Sequence, residues 1–178
     1  MFTLTEATCT LAHFNVRTEK HGEKKRPAAD LKIALAGPNT LLDLFDPELR
    51  GALFKAPPVV DAEQLFESEA PLTELRFPKL APIKLSHELK GRDVSISYGI
   101  DEVSDISIAC CDIDGFVAEL VEGGSVSITF RIAGHPTERD AGKLYGLQQQ
   151  EIALTIHEPA QGSLIGGEDD DDDEREAA

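Results

Sequence analysis

Basic residues are concentrated in one short stretch of a chain that is otherwise acidic. Between His13 and Lys32 there are six lysines and arginines against three acidic residues, a local charge of +3. The six are Arg17, Lys20, Lys24, Lys25, Arg26 and Lys32. Each such side chain that meets a phosphate releases counterions, so the cluster predicts a phosphate-binding surface. The alternative is a solvated strand pair whose lysines prevent edge-to-edge pairing.

Aromatic rings that could stack on bases are the second requirement for binding an unpaired nucleic-acid strand. Phe14 is the one aromatic residue inside the basic stretch, but it shares a strand face with Val16, which favours a place in the core. Tyr98 and Phe130 fall on the apolar registers of their strands, and we expect both to be buried. Tyr145, in a loop from Gly142 to Gly146, is the best remaining candidate. The predicted stacking residues are therefore Phe14 and Tyr145.

Histidines and cysteines show no spacing typical of a metal site or a catalytic nucleophile. The five histidines and three cysteines include no C-x-x-C or H-E-x-x-H motif. A G-x-S-x-G elbow and a glycine-rich phosphate loop are also absent. The odd cysteine count, with Cys110 and Cys111 adjacent, predicts reduced thiols in a cytoplasmic protein, and we expect that pair to be buried. We predict that the protein is not an enzyme and uses no metal or cofactor.

Strands are the elements that must position these residues. Alternation over residues 8–18 and 29–36 predicts a long β-hairpin whose tip reaches into solvent. Alternation returns at 94–100, 106–110, 115–121, 126–132 and 152–156, with a tight turn at Glu122-Gly123-Gly124. Short strands at this spacing predict a mainly β fold, either an antiparallel barrel or a β-sandwich.

Two short helices and one long surface excursion interrupt the predicted strands. Asn39 or Thr40 can cap the first helix, and Asp46 can cap the second with Pro47 at its first position. The proline-rich segment from Val59 to Pro82 predicts a surface excursion that contains short edge strands.

An acidic run ends the chain. Residues 168–178 hold eight carboxylates and one arginine, a charge of −7; subtracting it from the total of −16 leaves −9 on residues 1–167. Like charges repel and cannot be buried together. We therefore predict one β-rich domain over residues 1–160, followed by a flexible linker and an acidic tail over 161–178. The sequence shows neither a signal peptide nor an apolar run of the roughly 18 residues that a membrane span needs.

A basic strand pair, a β-rich body and the tail Glu168–Glu176 together resemble the single-stranded DNA-binding proteins of phage and bacteria, which have an OB-fold. The resemblance implies an OB-like barrel, a role in replication or recombination, phosphate binding by the basic residues and stacking by Phe14 or Tyr145. It also implies that the tail masks the binding groove and recruits replication or recombination proteins, and it is compatible with a homodimer. The tail residues concerned are Asp169, Asp170, Asp171, Asp172, Asp173 and Glu174. This chain ends in Ala177-Ala178, where that family often ends in an aromatic residue.

Two other functions fit the same sequence. An acidic inhibitor that imitates DNA and blocks a host nuclease would explain the charge of −9 outside the tail, because DNA-binding proteins are usually basic. A structural or assembly protein would use the tail for solubility. Binding of single-stranded DNA separates the first hypothesis from both alternatives.

Overall fold

The computed structural model describes residues 2–21, 24–58, 71–99 and 104–158, without the side chains of residues 20–26. The strands are β1 (Leu4–His21), β2 (Lys24–Pro38), β3 (Phe54–Lys55), β4 (Glu74–Leu75), β5 (Ile83–Leu85), β6 (Leu89–Ile96), β7 (Ile106–Val121), β8 (Ser125–Gly134) and β9 (Glu151–His157). The helices are a 3₁₀-helix (Asn39–Leu44), α1 (Leu49–Leu53) and α2 (Glu138–Gly146). The predicted linker and tail, and residues 59–70 of the predicted excursion, lie outside the described residues.

Six strands form a closed antiparallel barrel. Neighbours follow the order β7-β6-β9-β1-β2-β8, and β8 pairs again with β7 to close it. The short β5 pairs with the second half of β7, and β3 pairs with β4 in a separate two-stranded sheet. β-Bulges bend β1 between Leu11 and His13, and β7 between Asp114 and Val117, which supplies curvature for closure. The barrel prediction is confirmed in preference to the sandwich, and the barrel is compatible with an OB-like fold.

Alternating apolar side chains fill the barrel, and they confirm the predicted registers of β2, β8 and β9. The buried members are Leu31, Ile33, Leu35, Val126, Ile128, Phe130, Ile132, Ile152, Leu154 and Ile156. At one end of the barrel Phe2 packs against Phe45, Phe116 and Phe130, with ring centroids 5.0 to 5.8 Å apart. The core therefore lies inside the barrel, and polar residues alternate onto its outer wall.

The opposite end of the barrel carries the predicted hairpin. Pairing of β2 with β8 ends at Ala29 and Gly134, whereas pairing of β2 with β1 continues to Lys24 and His21. The hairpin therefore extends past the barrel, and we call residues 17–21 and 24–28 the hairpin arm. Helix α2 connects β8, which ends beside the arm, to the start of β9, and its Leu144 is buried. The arm and α2 thus share one end of the barrel.

Two expectations about buried residues were wrong. β6 ends at Ile96, so Tyr98 lies beyond it and is 36% exposed, although the apolar alternation continues in the sequence. Cys110 is exposed with φ +54°, because two residues of β7 bulge opposite one residue of β6 at this point. Cys111 is buried, as expected.

The helices also differ in detail from the predictions. Asn39 begins the 3₁₀-helix but does not cap it; its Nδ2 donates to the carbonyl oxygen of Leu72 at 2.6 Å. Asp46 Oδ1 accepts from the backbone nitrogen of Glu48 at 2.8 Å, and α1 begins only at Leu49. Helix α2 was not predicted. Among the described residues, every helix is too short or too polar to span a membrane.

Candidate nucleic-acid interface

The hairpin arm places the backbone of four predicted phosphate ligands beyond the barrel. In its register Lys20 lies opposite Lys25, and Glu19 lies opposite Arg26, with Lys24 at the arm's last pair. The side chains of Lys20, Lys24, Lys25 and Arg26 lie outside the described part of the structure. The backbone pairing therefore brings these positions together in one protruding strand pair.

Arg17, at the base of the arm, is paired with carboxylates. Its guanidinium lies 2.9 Å from Glu19 and 3.3 Å from Asp30, and about two-fifths of its side chain remains exposed. His135 Nε2 lies 3.4 Å from the other oxygen of Glu19. Ion pairs this exposed contribute about 0–1 kcal/mol each, so a phosphate can replace either carboxylate at small cost.

Lys32 lies on the barrel wall rather than on the arm. The register aligns His13, Lys32, Arg131 and Asp114 in one row across β1, β2, β8 and β7. Arg131 donates to both oxygens of Asp114, at 2.9 and 2.6 Å, and this hydrogen bonding raises the pKa of the guanidinium. Lys32 is exposed, and no described residue forms an ion pair with it. A shallow groove of about 360 Å³ runs along this row, with Asn15 and Thr129 also in its lining.

Phe14 and Tyr145 have opposite exposures. Phe14 is 6% exposed within the core, so its ring is not open to a base, whereas Tyr145 is 74% exposed. Tyr145 belongs to the last turn of α2 and not to a loop as predicted. Thr137 caps this helix, since its Oγ1 accepts from the backbone nitrogen of Asp140 at 3.1 Å. A threonine followed by acidic residues in the first turn is a helix-start signal that the sequence analysis missed.

Helix α2 is fixed to its neighbours on two sides. Lys143 Nζ donates to the carbonyl oxygen of Ser104 at 2.6 Å, and lies 5.3 Å from the ring centroid of Tyr98. On the other side, Gln148 Nε2 lies 3.2 Å from His13 Nδ1, and the backbone nitrogen of Gln149 donates to Leu11 at 2.7 Å. The structure thus places Tyr98, which sequence analysis assigned to the core, beside α2 at the arm end. The glycine that follows Tyr98 was the available signal that the strand ends there.

Among the described residues, the thiols and carboxylates do not form a group that could hold a metal ion. Burial raises the pKa of Cys9 and of Cys111 to about 12, which keeps both thiols protonated and unreactive. No group of three His, Cys, Asp or Glu residues in the described ranges is arranged to hold a metal ion.

No protein-family model, curated protein or solved structure matches this chain. What the structure shows is a closed antiparallel barrel that is compatible with an OB-like fold.

Proposed function

We propose that the protein binds single-stranded DNA at the arm end of the barrel. The observation that carries the proposal is that two features lie at the same end of the barrel: a protruding strand pair with four basic positions, and Tyr145, the most exposed aromatic ring in the described structure. Phosphates would be bound by Arg17, Lys20, Lys24, Lys25 and Arg26. Tyr145 would stack on a base, and Lys32 would extend the phosphate track along the barrel wall.

Single-stranded DNA suits this surface better than a duplex. The arm is a narrow strand pair on an acidic protein, and the exposed ring at the same end of the barrel needs a base whose face is free. A duplex keeps its base faces stacked and presents only base edges in its grooves. Backbone contacts and stacking together give binding that tolerates any sequence, as replication and recombination require.

The acidic tail is the second part of the proposal. About nine residues precede the acidic run, and at full extension they span roughly 30 Å. β9 leads to them from the end of the barrel opposite the arm, because Ile156 pairs with Leu4 at the start of β1 whereas the arm lies at the other end of that strand. The acidic run would therefore reach the arm by lying extended along the barrel. The tail would compete with phosphate and, once displaced, would recruit basic replication or recombination proteins.

Charge reversal of the arm tests the location of the binding site. The variant Lys24→Glu, Lys25→Glu, Arg26→Glu should bind a fluorescent oligonucleotide much more weakly. Loss of three phosphate contacts should lower the slope of log affinity against log salt by about 2. The matched control replaces three exposed lysines outside the arm with glutamate, and so changes the net charge by the same amount. These lysines are Lys79, Lys84 and Lys90.

The two triple variants have different expected results. If the arm binds DNA, the control retains most of the affinity because its lysines do not contact the strand. Equal losses in both would mean that net charge alone sets the affinity. Unchanged affinity in the arm variant would remove the arm from the binding site.

A nucleic-acid mimic is the second candidate. The pairing of Arg17 and Arg131 with carboxylates supports it, because nearby carboxylates then offset the charge of both guanidinium groups. Such a protein would bind no oligonucleotide at low salt and would inhibit a nuclease instead. The oligonucleotide titration therefore separates the two proposals.

A further inference from the structure

Tyr98 presents a partly exposed ring at the arm end of the barrel. It lies two residues past the end of β6 and is 36% exposed. The ammonium of Lys143 lies 5.3 Å from its ring centroid, over one face. The Tyr98 ring therefore has a cation on one face, while about a third of the residue remains open to solvent.

The ring is held in place before any ligand arrives. Lys143 Nζ donates to the carbonyl oxygen of Ser104 at 2.6 Å and lies 3.5 Å from Asp140 Oδ1, with 13% of its side chain exposed. The backbone nitrogen of Tyr98 donates to Asp105 Oδ1 at 2.8 Å. A ring fixed in this way loses little conformational entropy when a ligand binds.

We propose that Tyr98 stacks on an unpaired base of the bound strand through the ring face opposite Lys143. This inference rests on the proposed function. Lys143 is then a positioning residue: its charge is engaged by Asp140, Ser104 and the Tyr98 ring, and it acts on the strand only through that ring. A cation near one face holds the ring by cation–π attraction and leaves the other face for the base.

Two stacking positions then lie on the two sides of α2. Residues 143 and 145 are separated by about 200° around a helix of 3.6 residues per turn, so Tyr145 projects from the opposite flank to Lys143. Tyr98 lies on the Lys143 side. A single DNA strand that crosses α2 would place one base on each tyrosine, and its phosphates would continue toward the hairpin arm.

Tyrosine fluorescence tests the stacking directly. The chain has two tyrosines and no tryptophan, so Tyr145→Phe leaves Tyr98 as the sole source of tyrosine emission, and Tyr98→Phe leaves Tyr145. Each variant is titrated with oligo(dT), with correction for absorption by the DNA. Stacking predicts that Tyr98 emission is quenched, and that the quenching reaches its plateau at the same DNA concentration as binding measured by anisotropy.

Binding by the Tyr145→Phe variant without quenching overturns this inference alone. Failure of the wild type to bind at low salt overturns the proposed function and this inference together.

Affinity measurements separate stacking from a purely structural contact. Tyr98→Leu should weaken binding roughly 5- to 150-fold, whereas Tyr98→Phe should retain it because the ring remains. Phe77→Leu, which changes another exposed ring outside the proposed surface, should leave affinity unchanged. Equal affinity for Tyr98→Leu and wild type would contradict the proposal.

The role of Lys143 has its own test. Lys143→Met removes the positive charge but keeps an unbranched side chain of similar length. As a single substitution it should weaken oligonucleotide binding without changing the slope of log affinity against log salt. In the Tyr98→Leu background the same change should have no effect, since Lys143 acts through the ring. A loss that persists in that background, with a salt slope lower by about 0.7, would show a direct phosphate contact and overturn the positioning role.

Discussion

Both tyrosines of the chain are exposed at the arm end of the barrel, whereas Phe14 and Phe130 are buried in the core. The phenolic hydroxyl explains part of this difference, because a buried tyrosine needs a hydrogen-bond partner and a phenylalanine does not. Residue type and strand register together predicted the burial of Phe130 and favoured that of Phe14, although Phe14 was also named as a stacking residue and its buried ring is not open to a base. They did not place Tyr98, since its exposure depends on β6 ending at Ile96, four residues before the apolar alternation in the sequence ends at Ile100.

The three thiols should differ in reactivity. Cys110 is exposed at the β7 bulge, whereas Cys9 and Cys111 are buried with pKa values raised to about 12. At pH 8 we expect one thiol per chain to react quickly with a disulfide reagent in the native state, and three after unfolding. Rapid reaction of two or three native thiols would contradict this placement.

The same pKa shifts predict a loss of stability at high pH. In the unfolded chain both buried thiols ionise around their ordinary pKa of 9.0, whereas the folded protein keeps them protonated until about pH 12. Their contribution is therefore fully present below pH 9 and is lost as the pH rises toward 12. Urea unfolding at pH 8 and pH 10 should show a lower midpoint at pH 10, and Cys9→Ala should reduce that difference. An equal difference in the variant would exclude the Cys9 thiol as a cause.

At the scale of elements, α2 is the part of the proposed surface that sequence analysis missed. Its nine residues include two glycines and carry both Lys143 and Tyr145, so composition favoured a loop. The Thr137 cap and the burial of Leu144 against the barrel overcome the low helix propensity of glycine. The strands were predictable because alternation alone marks them. The closure of the barrel by pairing of β7 with β8 was not predictable from the sequence. It depends on β-bulges and on strand pairing between residues that are far apart in the sequence.

Two glycines near α2 should respond oppositely to alanine. A Cβ at Gly142, inside the helix, would meet no atom within 4 Å, so Gly142→Ala should stabilise the protein by about 1 kcal/mol. A Cβ at Gly134, at the end of β8, would lie 2.8 Å from Cys111 Sγ and from Ile108 Cγ2. Gly134→Ala should therefore destabilise by about 1–3 kcal/mol. Urea unfolding measures both, and a stabilising Gly134→Ala or a destabilising Gly142→Ala would contradict the described packing.

At the scale of the whole molecule, charge is divided between a small basic region and an acidic remainder. Residues 13–32 carry +3, although the chain totals −16 and the last eleven residues alone contribute −7. The negative potential of the acidic remainder repels phosphate, so binding of nucleic acid would be confined to the basic region. The barrel gives that region a fixed position, because the arm and both tyrosines lie at one end. The charge contrast is visible in the sequence itself. That the arm and both tyrosines lie at the same end of the barrel is not, because it depends on the strand pairing.

The most direct test compares the full chain with a chain that ends at Gly167. Both are titrated with a fluorescent single-stranded oligonucleotide at low and moderate salt. Our account predicts that both bind, that the truncated chain binds more tightly because a tethered competitor is gone, and that its affinity falls steeply with salt. Absence of binding by either chain at low salt would contradict it.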